Sequence, residues 1–257
     1  MRNNIIGAIT GDDTAFVVIA ELVMRQRRAN GVLMKAINFV GGQAEGGLKM
    51  LPNAVRAQID VAAHRALEAS YDVARRSRMT HNKPDTVYCA LSMLSGALGG
   101  LGGLPTALAE LPVSTTIIFH GIQGVAAQYG ENPQSLQTRM ECLAVFGSGC
   151  AVTPKNGIDT SFFGARLGLT GAAVNGLIGR VAPRFATLFS QKLASQALPV
   201  LGAAAGASTN YAFTNYYIQM AHVHFGLRKL ACKHGEQPVL DEFHSMLASF
   251  DVAAKCS

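Results

Sequence analysis

Three long stretches of the chain, Thr86 to Ala109, Leu111 to Gly130 and Leu193 to Gly226, contain no Asp, Glu, Lys or Arg. Backbone in such stretches has to be buried, in lipid or against other parts of the protein. A membrane-spanning helix needs about 20 apolar residues, so length alone permits a span. Composition argues the other way. The first stretch holds Gly96, Gly99, Gly100, Gly102, Gly103 and Pro105, and the third is diluted by Ser195, Gln196, Ser208, Thr209, Asn210, Thr214, Asn215 and Gln219. Hydrophobicity this marginal favours buried helices of a soluble or peripheral bundle over true spans, while reversible insertion of a helical hairpin stays open. The spacings Gly42-x-x-x-Gly46, Gly96-x-x-x-Gly100, Gly99-x-x-x-Gly103, Gly164-x-x-x-Gly168 and Gly202-x-x-x-Gly206 let helix backbones approach closely in either setting.

Gly and Pro divide the chain into helical segments, and nowhere do β-branched residues alternate with period two over a sustained run. The expected fold is therefore all-α: a single compact helical bundle with Gly/Ala-rich, closely packed central helices. Pro52 to about Arg78 reads as an amphipathic helix with Val55, Ile59, Ala62, Ala66 and Val73 near one face. Glu110-Leu111-Pro112 is expected to open a second helix, closed at Tyr129-Gly130. Asn132-Pro133 would then start a third that runs to about Phe146. Val239, Leu240, Phe243, Met246, Leu247 and Phe250 recur at helical spacing near the end. The expected organisation is an N-terminal helical extension over 1–29, a helical domain over 30–235, and a C-terminal amphipathic helix over 236–257 packed on the same domain.

With 49% hydrophobic and 15% charged residues, the chain has the apolar content for a sizeable core, and global disorder is excluded. The net charge of +6 is unevenly placed. No acidic residue occurs between Thr160 and Lys233, whereas Arg166, Arg180, Arg184, Lys192, Arg228, Lys229 and Lys233 are all basic. Such a region attracts anionic lipid, and these residues are the candidate lipid-binding face. Nucleic acid is disfavoured, because there is no Trp, no interleaving of aromatic with basic residues, and no zinc-finger or RNP-like spacing. The five cysteines are scattered without a Cys-x-x-Cys pair, which suits reduced cytoplasmic thiols. Met1 to Phe16 lacks the basic start and uninterrupted apolar run of a signal peptide, so neither cleavage nor export is expected.

Catalytic patterns are poorly represented. Phe146-Gly147-Ser148-Gly149-Cys150 departs from a Gly-x-Ser-x-Gly elbow and reads as a helix ending in a flexible turn. Cys142 or Cys150 could meet His120 across neighbouring helices, but small buried cysteines are ordinary core residues. Nucleotide binding lacks a Walker loop or dinucleotide fingerprint. His222, His224, Cys232 and His234 lie close in sequence, yet residues two apart on a helix point about 200° from each other, so a shared metal is not expected. Their neighbours Arg228, Lys229 and Lys233 suggest histidines decorating a basic helix end. Asp12-Asp13 reads as helix N-terminal charge. No cofactor, no metal and no catalytic residue is assigned.

The run Gly99-Gly100-Leu101-Gly102-Gly103-Leu104-Pro105, then Glu110-Leu111-Pro112 and Gln128-Tyr129-Gly130-Glu131-Asn132, resembles the central signature of the EcsC family. Gln191-Lys192-Leu193, Leu198-Pro199-Val200-Leu201-Gly202-Ala203 and Asn210-Tyr211-Ala212-Phe213-Thr214 are similar to its C-terminal signature, and Leu51-Pro52 with its helix to the N-terminal part. The resemblance spans about residues 30 to 230. It implies structural roles for Leu104, Pro105, Leu111, Pro112, Tyr129, Gly130, Pro199, Gly202 and Asn210. It also implies a bacterial cytoplasmic protein on the inner face of the cell membrane, beside a transporter, secretion or membrane-protease system. Residues and resemblance together lead to the expectation of a non-enzymatic, peripheral membrane-associated accessory protein. The alternative is a membrane-associated hydrolase, peptidase or lipase-like, whose site the sequence conceals.

Overall fold

The computed structural model describes residues 14–31, 61, 67, 70, 73, 83–101, 104–149 and 202–255, and among these every extended segment is helical with no strand. The all-α expectation holds. Helix α1 covers residues 14–31. It is followed by α2 (Asp85–Leu101), α3 (Leu104–Gln128), α4 (Leu136–Gly149), α5 (Gly202–His234) and α6 (Glu236–Lys255).

The bundle is organised around α5, whose central residues from Tyr216 to Leu227 are almost all buried. A helix apolar on nearly every side has to be surrounded, and α2, α3, α4 and α6 all pack on α5. In α1, Ala15, Ile19, Leu22, Val23 and Ala29 recur at helical spacing and are buried in the same core. Phe119 of α3 stacks on Phe146 of α4 with ring centroids 4.9 Å apart, and Phe146 stacks on Tyr217 of α5 at 4.6 Å. Offset aromatic pairs of this kind each contribute roughly 0.5–1.5 kcal/mol beyond burial. In α6, Val239, Phe243 and Met246 are buried while Leu240, Leu247 and Phe250 pack on the core's edge, as the spacing predicts. Arg27 of α1 lies 4.9 Å above the Phe250 ring.

Several boundaries differ from expectation. Pro112 does not open a helix: it lies inside α3, which begins at Leu104. A proline there removes one helical hydrogen bond, a cost of about 3 kcal/mol, but the turn ahead of it is tied to α2. Thr106 donates to the Gly99 carbonyl at 2.7 Å, and Ser95 donates to the Glu110 carboxylate at 2.7 Å. At the other end Gly130, with φ of 89°, closes α3 as predicted. Glu131 N–H bonds the Ala126 carbonyl and Gly130 N–H the Ala127 carbonyl, both at 3.0 Å, the paired bonds of a Schellman end.

Helix α4 starts three residues later than the Asn132-Pro133 reading. Asn132 instead makes a turn, accepting from Gln134 N–H through its side chain, and Ser135 caps the helix by accepting from Thr138 N–H at 3.1 Å. The helix continues through Ser148 to Gly149, so no flexible turn begins at Gly147. Of the Pro52 helix only positions 61, 67, 70 and 73 are described, all helical. There Leu67 and Ser70 are the buried positions and Val73 is exposed, which turns the inward face away from Val73. Val55, Ile59, Ala62 and Ala66 lie outside the described residues.

Candidate functional site

The N-terminal half of α5 runs antiparallel to α2, and the two Gly-x-x-x-Gly spacings meet face to face. A Cβ on Gly96 would strike the Gly206 carbonyl, and one on Gly100 would strike the Gly202 carbonyl. Backbones this close leave no space for a side chain, so glycine is required here for proximity. Next to this contact sits a buried polar network. Asn210 donates its amide to the Ser92 carbonyl at 2.9 Å and to the Glu110 carboxylate at 2.8 Å. Thr214 donates to Ser92 Oγ at 2.6 Å, and Ser92 Oγ in turn donates to the Asn210 carbonyl at 3.3 Å. Ser95 adds a second donor to Glu110, whose burial is thereby compensated by two hydrogen bonds.

Further along α5 the packing becomes ionisable. His222 Nε2 lies 3.0 Å from the Asp85 carboxylate on α2, and His224 Nε2 lies 2.7 Å from Glu141 on α4. Facing a carboxylate, each Nε2 carries the proton. Arg228 bridges two carboxylates, bonding Glu131 at 2.7 Å and Glu141 at 2.8 Å. Burial alone would raise the Asp85 pKa, but the hydrogen bond and charge of His222, the charge of Arg25 and a hydrogen bond from Gln219 hold it below the ordinary carboxylate value. Glu141 behaves alike: burial pushes up, and the His224 bond with the charges of His224 and Arg228 brings it below the usual range. Burial and the nearby Asp85 push the Cys89 thiol up to about 11. Burial, with Glu141 and Glu131 beside it, also raises Cys142. Both thiols are thus kept protonated, the reverse of nucleophile activation.

These positions correct the reading of the histidines. His222 and His224 do not decorate a basic helix end but lie buried within α5, bonded to carboxylates on two different helices, as a separation of about 200° requires. Among the described residues no three His, Cys, Asp or Glu side chains gather to hold a metal ion. Of the seven candidate lipid-binding residues, Arg228 is engaged by two carboxylates, whereas Lys229 and Lys233 are exposed. Arg166, Arg180, Arg184 and Lys192 lie outside the described residues, as do Cys150, Pro199 and the pair Asp12-Asp13. His120 and Cys142 are both buried.

The residues that the sequence did not reveal are Asp85, Glu141 and Ser92, each paired with a residue of α5 more than eighty positions away, and Thr214 of α5, the partner of Ser92. One signal was available: two histidines two apart on a helix with no surface break demand two separate polar partners. The side of α2 opposite the glycines is also informative. Leu91, Leu94, Leu98 and Leu101 line it, and the last three are 64%, 69% and 70% exposed. No helix among the described residues is long and apolar enough to cross a membrane.

Fold and seam define a helical bundle whose spine is clamped by glycine contacts and buried polar pairs. Within it, residues 48–160 match the model of the EcsC protein family. The matched segment ends well before α5, yet Gly202 and Asn210 of α5 supply the contacts of Gly100 and Glu110 inside it. No curated protein and no solved structure matches the chain.

Proposed function

We propose that the protein is a non-enzymatic, peripherally membrane-associated bundle that binds the inner face of a bacterial cell membrane as an accessory to a transport or secretion system. The observation that carries this reading is the leucine row of α2. Leu91, Leu94, Leu98 and Leu101 fall within one narrow sector of a helix that has no charged residue after Asp85. A contiguous exposed apolar row marks an interaction surface. A helix lying in the headgroup region gains about 0.8 kcal/mol for each buried CH₂. Basic side chains add about 1 kcal/mol each near anionic lipid, a role open to Lys229, Lys233 and the candidates Arg166, Arg180, Arg184 and Lys192. Among the described residues, the raised thiols of Cys89 and Cys142 and the burial of His120, His222 and His224 support an architectural reading over a Cys–His hydrolase.

Sedimentation with phosphatidylglycerol-containing and with neutral vesicles tests the proposal. The parent should sediment with the anionic vesicles and be released by salt. Leu94→Ser/Leu98→Ser/Leu101→Ser should stay in the supernatant, and Arg180→Glu/Arg184→Glu/Lys192→Glu should bind more weakly. A parent protein that ignores both kinds of vesicle, or a triple serine variant that binds as the parent does, overturns it.

A further inference from the structure

A groove of about 620 Å³ runs between α1 and α5 on a part of the surface separate from the leucine row. Its size is that of a small-molecule site. We propose that it binds a small organic anion carrying an aliphatic tail. Two guanidiniums, Arg25 and Arg28, face one carboxylate, Glu21, so the lining carries an excess of positive charge. The guanidinium of Arg25 is fixed in place from below. It donates to Gln219 Oε1 at 2.9 Å, and Gln219 is in turn bonded to the Asp85 carboxylate that His222 holds. This preorganises a fork suited to a carboxylate or phosphate head.

Among the described residues, the outer edge of the same guanidinium is occupied by Glu21, at 3.0 and 3.1 Å. That carboxylate is 61% exposed and sits one turn away on the same helix, where such pairs are weak. Glu21 therefore acts as a replaceable stand-in for the ligand's head. Asn215, one turn before Gln219, provides a further amide donor. Ala20 and Met24 supply an apolar wall with an adaptable thioether for the tail. The site is independent of membrane-surface binding.

Titration calorimetry on the full chain tests it with decanoate and decyl phosphate as separate arms, each below its micelle concentration. Decyltrimethylammonium and inorganic phosphate serve as controls. At least one of the two anions should bind, and the stronger names the head group. Arg28→Ala should weaken that binding about tenfold, the scale of a lost charge-assisted hydrogen bond. Glu21→Gln should tighten it by removing the competitor, and Ala20→Phe should abolish it by filling the groove. Arg28 and Glu21 are exposed, so these two variants keep the parent's melting temperature and remain informative if Ala20→Phe does not fold. The proposal fails if neither decyl anion binds. It also fails if the cationic amphiphile or inorganic phosphate binds as tightly, or if Glu21→Gln weakens binding or Arg28→Ala leaves it unchanged.

Discussion

Helix α5 is held along its length by two different chemistries. Its first turns touch α2 backbone to backbone, Gly202 on Gly100 and Gly206 on Gly96, with the hydrogen-bonded side chains of Ser92, Asn210 and Glu110 beside them. Its later turns hold α2 and α4 through titratable pairs, His222 with Asp85 and His224 with Glu141. The first contact tolerates no added atom. The second has ordinary side-chain spacing and depends on protonation. A single helix thus separates steric from electrostatic fixation, and substitutions at its two ends should fail in different ways.

The largest effect is expected at the glycine contact. Gly100→Leu drives a side chain into the Gly202 backbone and should cost at least about 3 kcal/mol, the upper range of overpacking. Gly31→Ala, where a new Cβ meets nothing within 4 Å, should leave the thermal midpoint unchanged or slightly raised. Equal melting of the two variants would mean that the contact of Gly100 with Gly202 is not sterically closed. Next comes Asn210→Ala, which strips a donor from buried Glu110 and from the Ser92 carbonyl. A loss of about 1–3 kcal/mol in urea denaturation is expected.

The ionisable end should show itself in acid. Both Asp85 and Glu141 have folded-state pKa values below their ordinary ones. Their contribution is therefore complete above the unfolded values near 4, and it disappears as pH falls through the lower folded values. Melting curves from pH 7 down to 3 should show a fall in the parent that flattens in Asp85→Asn/Glu141→Gln. The smallest effect belongs to neither region. Gly130→Ala forces an L side chain onto a φ of 89° in open space, for about 1–2 kcal/mol, and differential scanning calorimetry should show no change in its pH profile.

The difference between the two regions also explains what was legible in the sequence. Gly96, Gly100, Gly202 and Gly206 announce close approach by spacing alone, and the helical period of Val239, Phe243 and Met246 announces the face of α6. Gly130 announces a helix end because only glycine takes that conformation without strain. The pairs Asp85–His222 and Glu141–His224 were invisible because local pattern carries no information on which distant carboxylate a buried histidine will meet. Pro112 misled for a related reason: its usual meaning as a helix start yields to the ties that Thr106 and Glu110 make with α2.

The central claim is that α2 has two faces with separate work, a glycine face that holds α5 and a leucine face that does not contribute to folding. The most direct test is the melting temperature of Leu94→Ser/Leu98→Ser/Leu101→Ser in the absence of lipid. Because these side chains are already largely in solvent, the account predicts a midpoint equal to the parent's within about 0.5 kcal/mol per site. A drop as large as that of Gly100→Leu would mean that the leucines are part of the folded core, and would contradict it.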